Sequence, residues 1–287
     1  MDRSTRKTIL VILVVMAISL LFPVAFTLPV HADFGPKPSI TIVVKNPPAD
    51  PYYLDLLIQE EKVNNSLNEE RDQYDPIKFD MLANYRVDGW VPALVHGTDI
   101  PLFGKLTGTR QGSDMIHTFS YFGTPEHFKI IIITPDNQIV VSGELERKAY
   151  QLKLTYDYAT GDTSQRSIVV SYLRQFFATL IPTLIIEGLC LLLFGFSLRR
   201  SYRPFLLVNL ATQIFLTATL GTAAITQGIF AAYLLALPLE LVIIIAESIA
   251  FALLLKEHSK GRRIGYAITA NLISLIASLP AMNLLIG

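Results

Sequence analysis

The sequence predicts a membrane protein in two parts. An all-β, sandwich-like extracytoplasmic domain with one short helix comes first, and an α-helical bundle of four transmembrane helices follows. Three observations carry this. Charged residues make up 17% of the chain and apolar ones 51%, whereas soluble domains hold about 25% charged residues. The first half breaks into short β-branched and aromatic runs separated by turn residues, and long apolar segments take over from Phe176. The charge is also unevenly divided. Asp33 to Ser167 holds 19 acidic and 13 basic residues, a net of −6, and the remainder holds 5 and 11, a net of +6. An acidic exported part with basic cytoplasmic loops gives that split. With no basic, aromatic-interleaved face in the soluble part, nucleic acid is not an expected partner.

Residues 1–32 read as a signal peptide. Arg3, Arg6 and Lys7 form a basic start, Ile9 to Leu21 an apolar stretch, and Val30-His31-Ala32 a cleavage site. An uncleaved anchor is the alternative, and the breaks at Pro23 and Pro29 favour cleavage. The sole cysteine, Cys190, lies in an apolar run, so no intrachain disulfide forms. An exported domain without disulfides fits a bacterial cell envelope.

Residues 33–168 form the extracytoplasmic domain. Strands are expected at Ser39–Lys45, Tyr52–Ile58, Gly89–Val95, His117–Tyr121, Phe128–Thr134, Gln138–Ser142 and Tyr150–Asp157. Seven such runs suggest a sandwich. Pro135-Asp136-Asn137 reads as a hairpin turn. Pro76–Tyr85 has helical spacing, with Pro76 suited to a first helical position. Lys62–Asp75 and Gly104–Ser113 read as loops, the second without the ending of a phosphate-binding loop. His96, His117 and His127 would ligate a metal only if the fold gathered them, and unrelated positions are the simpler expectation. Trp90, Tyr121 and Phe122 read as core or rim aromatics rather than a stacking platform. No cofactor is expected.

Residues 169–287 form the transmembrane domain, with helices at about Phe176–Ser197, Pro204–Ala223, Ile229–Leu255 and Ile264–Ile286. The run Tyr233 to Leu255 alone reaches roughly 34 Å at about 1.5 Å per residue, enough to cross a hydrocarbon core of about 30 Å. The loops Leu198–Arg203 and Lys256–Arg263 hold Arg199, Arg200, Arg203, Lys256, Lys260, Arg262 and Arg263, whereas Ala224–Gly228 carries no charge. The positive-inside rule puts both basic loops in the cytoplasm, and the 33–168 domain and the C-terminus outside. No cytoplasmic domain is evident, so an inward signal would need another protein.

Several stretches share a pattern. They are Asp33-Phe34-Gly35-Pro36-Lys37-Pro38-Ser39, Tyr52-Tyr53, Tyr85 to Trp90, Phe119 to Ile130, Asn209 to Gln213, Glu240 with Glu247, and Asn271 to Ser274. Together they resemble an uncharacterised family of Gram-positive bacterial membrane proteins with an Ala-Asp-x-Gly-Pro-Lys-Pro-Ser mature start. The resemblance implies an exported β domain and four transmembrane helices, and no particular activity. The paired cysteines of some members are missing here.

The candidate site is a set of intramembrane polar residues: Glu187, Asn209, Gln213, Glu240, Glu247, Asn271 and Ser274. A central charge costs roughly 2.5–3.5 kcal/mol on insertion scales, so polar groups there need a reason. Counted from the cytoplasmic ends, Glu187, Gln213, Glu247 and Asn271 fall at similar depth. Glu240 and Glu247, seven residues apart, point the same way, about 10.5 Å apart along the axis. They are too far apart for a shared proton and well placed as two stations on a polar stripe. No basic residue lies at this depth, so the acids must be protonated, bind a cation, or hydrogen-bond to Asn and Gln.

Three roles remain open for this set: a clamp between helices, a proton or cation site, or a surface that docks another membrane protein. Intramembrane hydrolysis is disfavoured, because the helices hold no histidine for a zinc or serine site and no aspartate pair. The expected function is therefore a non-enzymatic envelope protein. Its β domain binds an extracellular ligand or partner, and its helices dock or regulate a membrane-protein partner or a second copy. The alternative is a small proton- or cation-coupled transporter using Glu187, Glu240 and Glu247.

Overall fold

A computed structural model describes residues 35–59 and 68–278. The predicted signal peptide, part of the first expected loop and the end of the last expected helix lie outside the described residues. The chain divides into two compact units, Gly35–Arg166 and a helical unit that begins at Ser167.

The first unit holds two β-sheets. One has the order β10-β9-β1-β5-β4, from β1 (Ser39–Lys45), β4 (Thr109–Gln111), β5 (Asp114–Ser120), β9 (Gln151–Asp157) and β10 (Thr163–Gln165). β1 pairs antiparallel with β5 (Ile42 opposite His117) and parallel with β9 (Ile42 opposite Leu154). β9 alternates as its sequence does: Leu152, Leu154 and Tyr156 are buried and Lys153 is exposed, the signature of a strand with one covered face.

The other sheet has the order β3-β2-β6-β7, from β2 (Tyr53–Ile58), β3 (Val91–Pro92), β6 (His127–Ile133) and β7 (Ile139–Val141). β8 (Leu145–Glu146) also pairs with β6. β2 is buried along its whole length, and β6 nearly so. The continuous apolar runs YLDLLI and IIII are what a strand covered on both faces needs. The first sheet lends Ile40, Ile42 and Phe119 to the core they share, and the helices α1 (Pro76–Ala83) and α2 (Ala93–His96) lend Phe79, Leu82 and Leu94. α1 starts where expected: Pro76 takes the first position and the Asp75 side chain accepts from the Lys78 amide at 3.0 Å. Buried Lys78 then spans to the β6–β7 turn, donating to the Pro135 carbonyl at 3.0 Å and to Asn137 at 2.6 Å.

The structure corrects three expectations here. Gly89–Val95 is not one strand. It is the two-residue β3 followed by the single turn α2, because the buried Asp55 carboxylate on β2 collects the Leu94 and Val95 amides that a strand would have sent to a neighbour. Gly104–Ser113 is not wholly loop: β4 forms inside it and returns to β5 through Gly112, at φ +62°. Besides α1 there are α2 and a 3-10 helix at Asn68–Gln73.

The helical unit contains α3 (Ile168–Leu193), α4 (Leu198–Gln227), α5 (Ile229–Leu254) and α6 (Lys260–Ser278). The first three are long and apolar enough to cross a membrane. Each helix packs on its chain neighbours and α3 also packs on α6, so the four close into a ring. The helices run longer than their apolar cores. Arg199, Arg200 and Arg203, expected in a loop, occupy the first turns of α4, and Gly228 alone separates α4 from α5. Pro204, near the helix start, does not stop it, because an early proline forfeits few hydrogen bonds. The basic ends are stapled. Glu257 accepts from the Ser197 amide at 2.8 Å and the Ser201 hydroxyl at 3.2 Å. Arg263 donates to the carbonyls of Ala252, Glu257 and His258 at 2.9–3.0 Å.

Candidate functional site

On α3, polar residues recur every fourth position: Gln175, Thr179, Thr183 and Glu187. Ile181, Ile185 and Leu189 recur on the other side and are more than half exposed. With 3.6 residues per turn a four-residue repeat drifts by about 40° per step, so each set keeps broadly to one face. The polar face turns into the ring of helices. Asn209, Thr212 and Gln213 face it from α4, Glu240 and Glu247 from α5, and Asn271 and Ser274 from α6, around a cavity of about 210 Å³. All seven residues singled out from the sequence line it. Six are buried and Glu240 is half-buried. No lysine, arginine or histidine lines it among the described residues.

The two deep glutamates differ. Each Glu247 oxygen has a donor: the Thr212 hydroxyl reaches Oε1 at 2.6 Å and the Asn271 amide reaches Oε2 at 2.8 Å. Glu187 Oε1 accepts from the Ser274 hydroxyl at 3.0 Å, but its Oε2 is buried with no hydrogen-bond partner among the described residues. Asn209 stands within hydrogen-bonding reach of this carboxyl; one hydrogen of its Nδ2 goes to the Phe205 carbonyl at 3.0 Å, and its Oδ1 has no partner among the described residues. Glu187 Oε2 and Asn209 Oδ1 are thus two buried acceptors on the cavity lining without a hydrogen-bond partner among the described residues. Gln213 donates to Thr179 at 2.6 Å and to Thr217 at 3.2 Å, and so ties α4 to α3 rather than to an acid.

Beyond Glu187 and Glu247, toward the basic ends, the interior is apolar and aromatic. Phe196, Phe205, Phe251, Leu255 and Tyr266 are all buried, and the Tyr266 ring lies within 6.0 Å of Phe194, Phe196 and Phe251. The cavity thus has a carboxylate floor on an aromatic plug. Its wall climbs from Glu187 to Gln175 on α3 and from Glu247 to Tyr233 on α5, about 18–21 Å at 1.5 Å per residue. Leu216, Leu220, Leu237, Ile243 and Leu275 make much of that wall apolar.

The first unit buries two ionisable groups of its own. Asp55 accepts from the amides of Leu56 at 2.7 Å, Leu94 at 3.1 Å and Val95 at 3.3 Å. Burial pushes its carboxyl up to about 7 against the pull of those amides. The His117 ring bonds the Tyr52 hydroxyl at 3.0 Å, and burial lowers its basicity to about 4. His117 is thus part of the core, His96 closes α2, and His127 begins β6 beside Glu144 at 3.6 Å. The three histidines are not gathered, and no cluster of three or more His, Cys, Asp or Glu close enough to ligate one metal ion together occurs among the described residues. Trp90 is buried in the core, whereas Phe122 is exposed.

No protein family, curated protein or solved structure matches the chain.

Sequence reasoning missed the hydroxyls. Thr212, the closest donor to Glu247, and the Thr179–Thr183 pair above Glu187 carry no charge and pass as ordinary helix residues. The four-residue polar repeat on α3 was the signal that could have found two of them.

Proposed function

We propose that the chain is a non-enzymatic, multi-pass membrane protein of the bacterial cell envelope that binds a proton or small cation inside its helical unit. The supporting observation is the convergence of three carboxylates from two helices, with no basic residue, on one cavity floored by an aromatic plug. In this reading α6 is the fourth span, the basic ends are cytoplasmic, and the first unit is an extracytoplasmic sandwich. Burial of the polar set weighs against its use as a docking surface, since a partner helix or second copy would meet the outward leucines and isoleucines instead. Four helices make a small carrier, so oligomerisation through those faces belongs to the proposal.

The test is thermal unfolding of the detergent-purified full chain and its Glu187→Gln variant from acid to mildly alkaline pH. Glutamine imitates a protonated glutamate. If it matches the wild type in acid and exceeds it in alkali, the carboxylate costs stability when ionised and is kept for proton or cation chemistry. Equal behaviour at every pH would reduce Glu187 to a helix clamp.

A second reading, an extracellular partner for the first unit, is favoured by one surface feature. Ile100, Phe103 and Phe122 are each at least half exposed. They flank Tyr121, held at φ +92°, an unusual backbone for a bulky residue.

A further inference from the structure

Resting on the proposed interior cation site, the geometry points to a compact primary ammonium compound as its ligand, with the charged head between Glu187 Oε2 and Asn209 Oδ1 and the apolar body along the leucine wall. An ammonium carries three donors and no acceptor. Among the described residues, Oε2 and Oδ1 are the two buried side-chain acceptors of the cavity without a hydrogen-bond partner, on residues each 1% exposed. Leaving both unmet costs free energy that a bound donor recovers. Gln213, one turn above Asn209, spends its Nε2 on two threonines and offers the amide oxygen as a third acceptor.

The division of labour follows. Glu247, with both oxygens occupied, positions Asn271 and Thr212 and does not hold the ligand. Glu240, half-buried and about 10.5 Å farther from the floor, is the first carboxylate that an entering cation meets. The body is argued from the wall: Leu216, Leu220, Leu237, Ile243 and Leu275 give a bare metal ion no ligand but suit a hydrocarbon. A volume of about 210 Å³ is below the roughly 300–1,000 Å³ of drug-sized pockets, so the body is small.

A proton on Oε2 would compete with the ammonium for the same atom. The titratable groups around Glu187 are Cys190 on α3 itself, Glu240 and Glu247 from α5 and Tyr266 from α6; α4 offers only Asn209, Thr212 and Gln213. Binding should therefore weaken as the pH falls.

The probes are benzylamine, its uncharged isostere benzyl alcohol, and sodium chloride, added to the purified full chain and read by thermal shift and calorimetric titration. We expect benzylamine to bind saturably and raise the melting temperature, with affinity falling at least tenfold between mildly alkaline and acid pH. Benzyl alcohol and sodium should do neither. Glu187→Gln should lose at least tenfold in benzylamine affinity. Because Glu187→Gln could unfold, Asn209→Asp is the second variant: a carboxylate at the other acceptor should tighten benzylamine. Equal stabilisation by the alcohol would overturn the proposal in favour of an apolar cavity, and equal stabilisation by sodium in favour of a bare-cation site. If benzylamine fails to bind while Glu187→Gln still removes the pH dependence of wild-type melting, the ammonium site falls and the proton reading stands. If that pH dependence also survives the substitution, both fall.

Discussion

Replacing His117 by glutamine should make the first unit's stability depend on pH in a way the wild type's does not. His117 is a base whose folded-state value, about 4, lies below the unfolded 6.5. The unfolded chain therefore takes up the proton first, and stability is lost as the pH falls from 6.5 to 4, by about 3 kcal/mol in full. Asp55 is an acid whose folded value, about 7, lies above the unfolded 3.8. Its contribution is present in acid and lost as the pH rises through 7, about 4 kcal/mol in full. From pH 7.5 to 5 the linkage relation gives about +2.5 kcal/mol from Asp55 and about −2 from His117. Hydrogen bonds from Lys45, Thr134 and Asn46 hold Asp114, Asp136 and Asp157 below the usual range, so these act mainly at lower pH. Burial lowers the basicity of His96 as well, which trims the gain on acidification, so the wild type should change by less than about 1 kcal/mol over this window. His117→Gln should gain about 2.5 kcal/mol on acidification, and Asp55→Asn should lose about 2. The assay is urea unfolding of the full chain followed by tryptophan fluorescence. The sole tryptophan, Trp90, is buried in the same core as Asp55 and so reports on this unit alone. At about 2 kcal/mol per molar urea, the His117→Gln midpoint should rise by roughly 1 M between pH 7.5 and 5. A variant whose midpoint follows the wild type's at every pH would refute the reasoning, because His117 would then not be buried as a neutral base.

Three further outcomes are expected. Thr212→Val should leave Glu247 Oε1 without its 2.6 Å donor and lower the stability of the helical unit by about 0.6–1.7 kcal/mol, measured by thermal unfolding in detergent. Gly123→Ala should cost about 3 kcal/mol or more by Trp90 fluorescence, since a Cβ there would lie 2.0 Å from the Ile100 carbonyl oxygen and 2.7 Å from that of Pro101, and backbone cannot step aside. Gly221→Ala should lower the melting temperature by driving a Cβ to 2.4 Å from the Tyr172 ring. Tyr172→Ala in the same chain should recover most of that loss, and a purely additive double variant would show that the two do not touch.

Much of the helical unit was legible in the sequence because a bilayer imposes a simple rule: long apolar runs cross and polar groups in them stand out. That rule gave Glu187, Asn209, Gln213, Glu240, Glu247, Asn271 and Ser274, which line one cavity. Helix ends were less legible. An apolar run marks where lipid begins, whereas a helix continues until a residue stops it, and nothing between Leu198 and Arg203 does. In the first unit the alternating strands β1 and β9 could be read directly. The strand expected over Gly89–Val95 failed because its fate is set by Asp55, some forty residues earlier, whose carboxylate claims the Leu94 and Val95 amides. Neither residue's own neighbourhood in the sequence carries that information.

The same distinction separates Glu187 from Glu247. In the sequence they are equivalent: single acids deep in apolar helices, each needing a proton, a cation or a donor. Which of these each one uses depends on what the other helices bring. Thr212 and Asn271 come to Glu247 from α4 and α6 and complete it. Ser274 comes to Glu187 and gives Oε1 its donor, while Asn209 arrives with one of its two amide hydrogens on the Phe205 carbonyl. Glu187 Oε2 and Asn209 Oδ1 are left as buried acceptors without a hydrogen-bond partner among the described residues. A site for a donor therefore exists at Glu187 and not at Glu247, although only the second glutamate shares a helix and a face with Glu240.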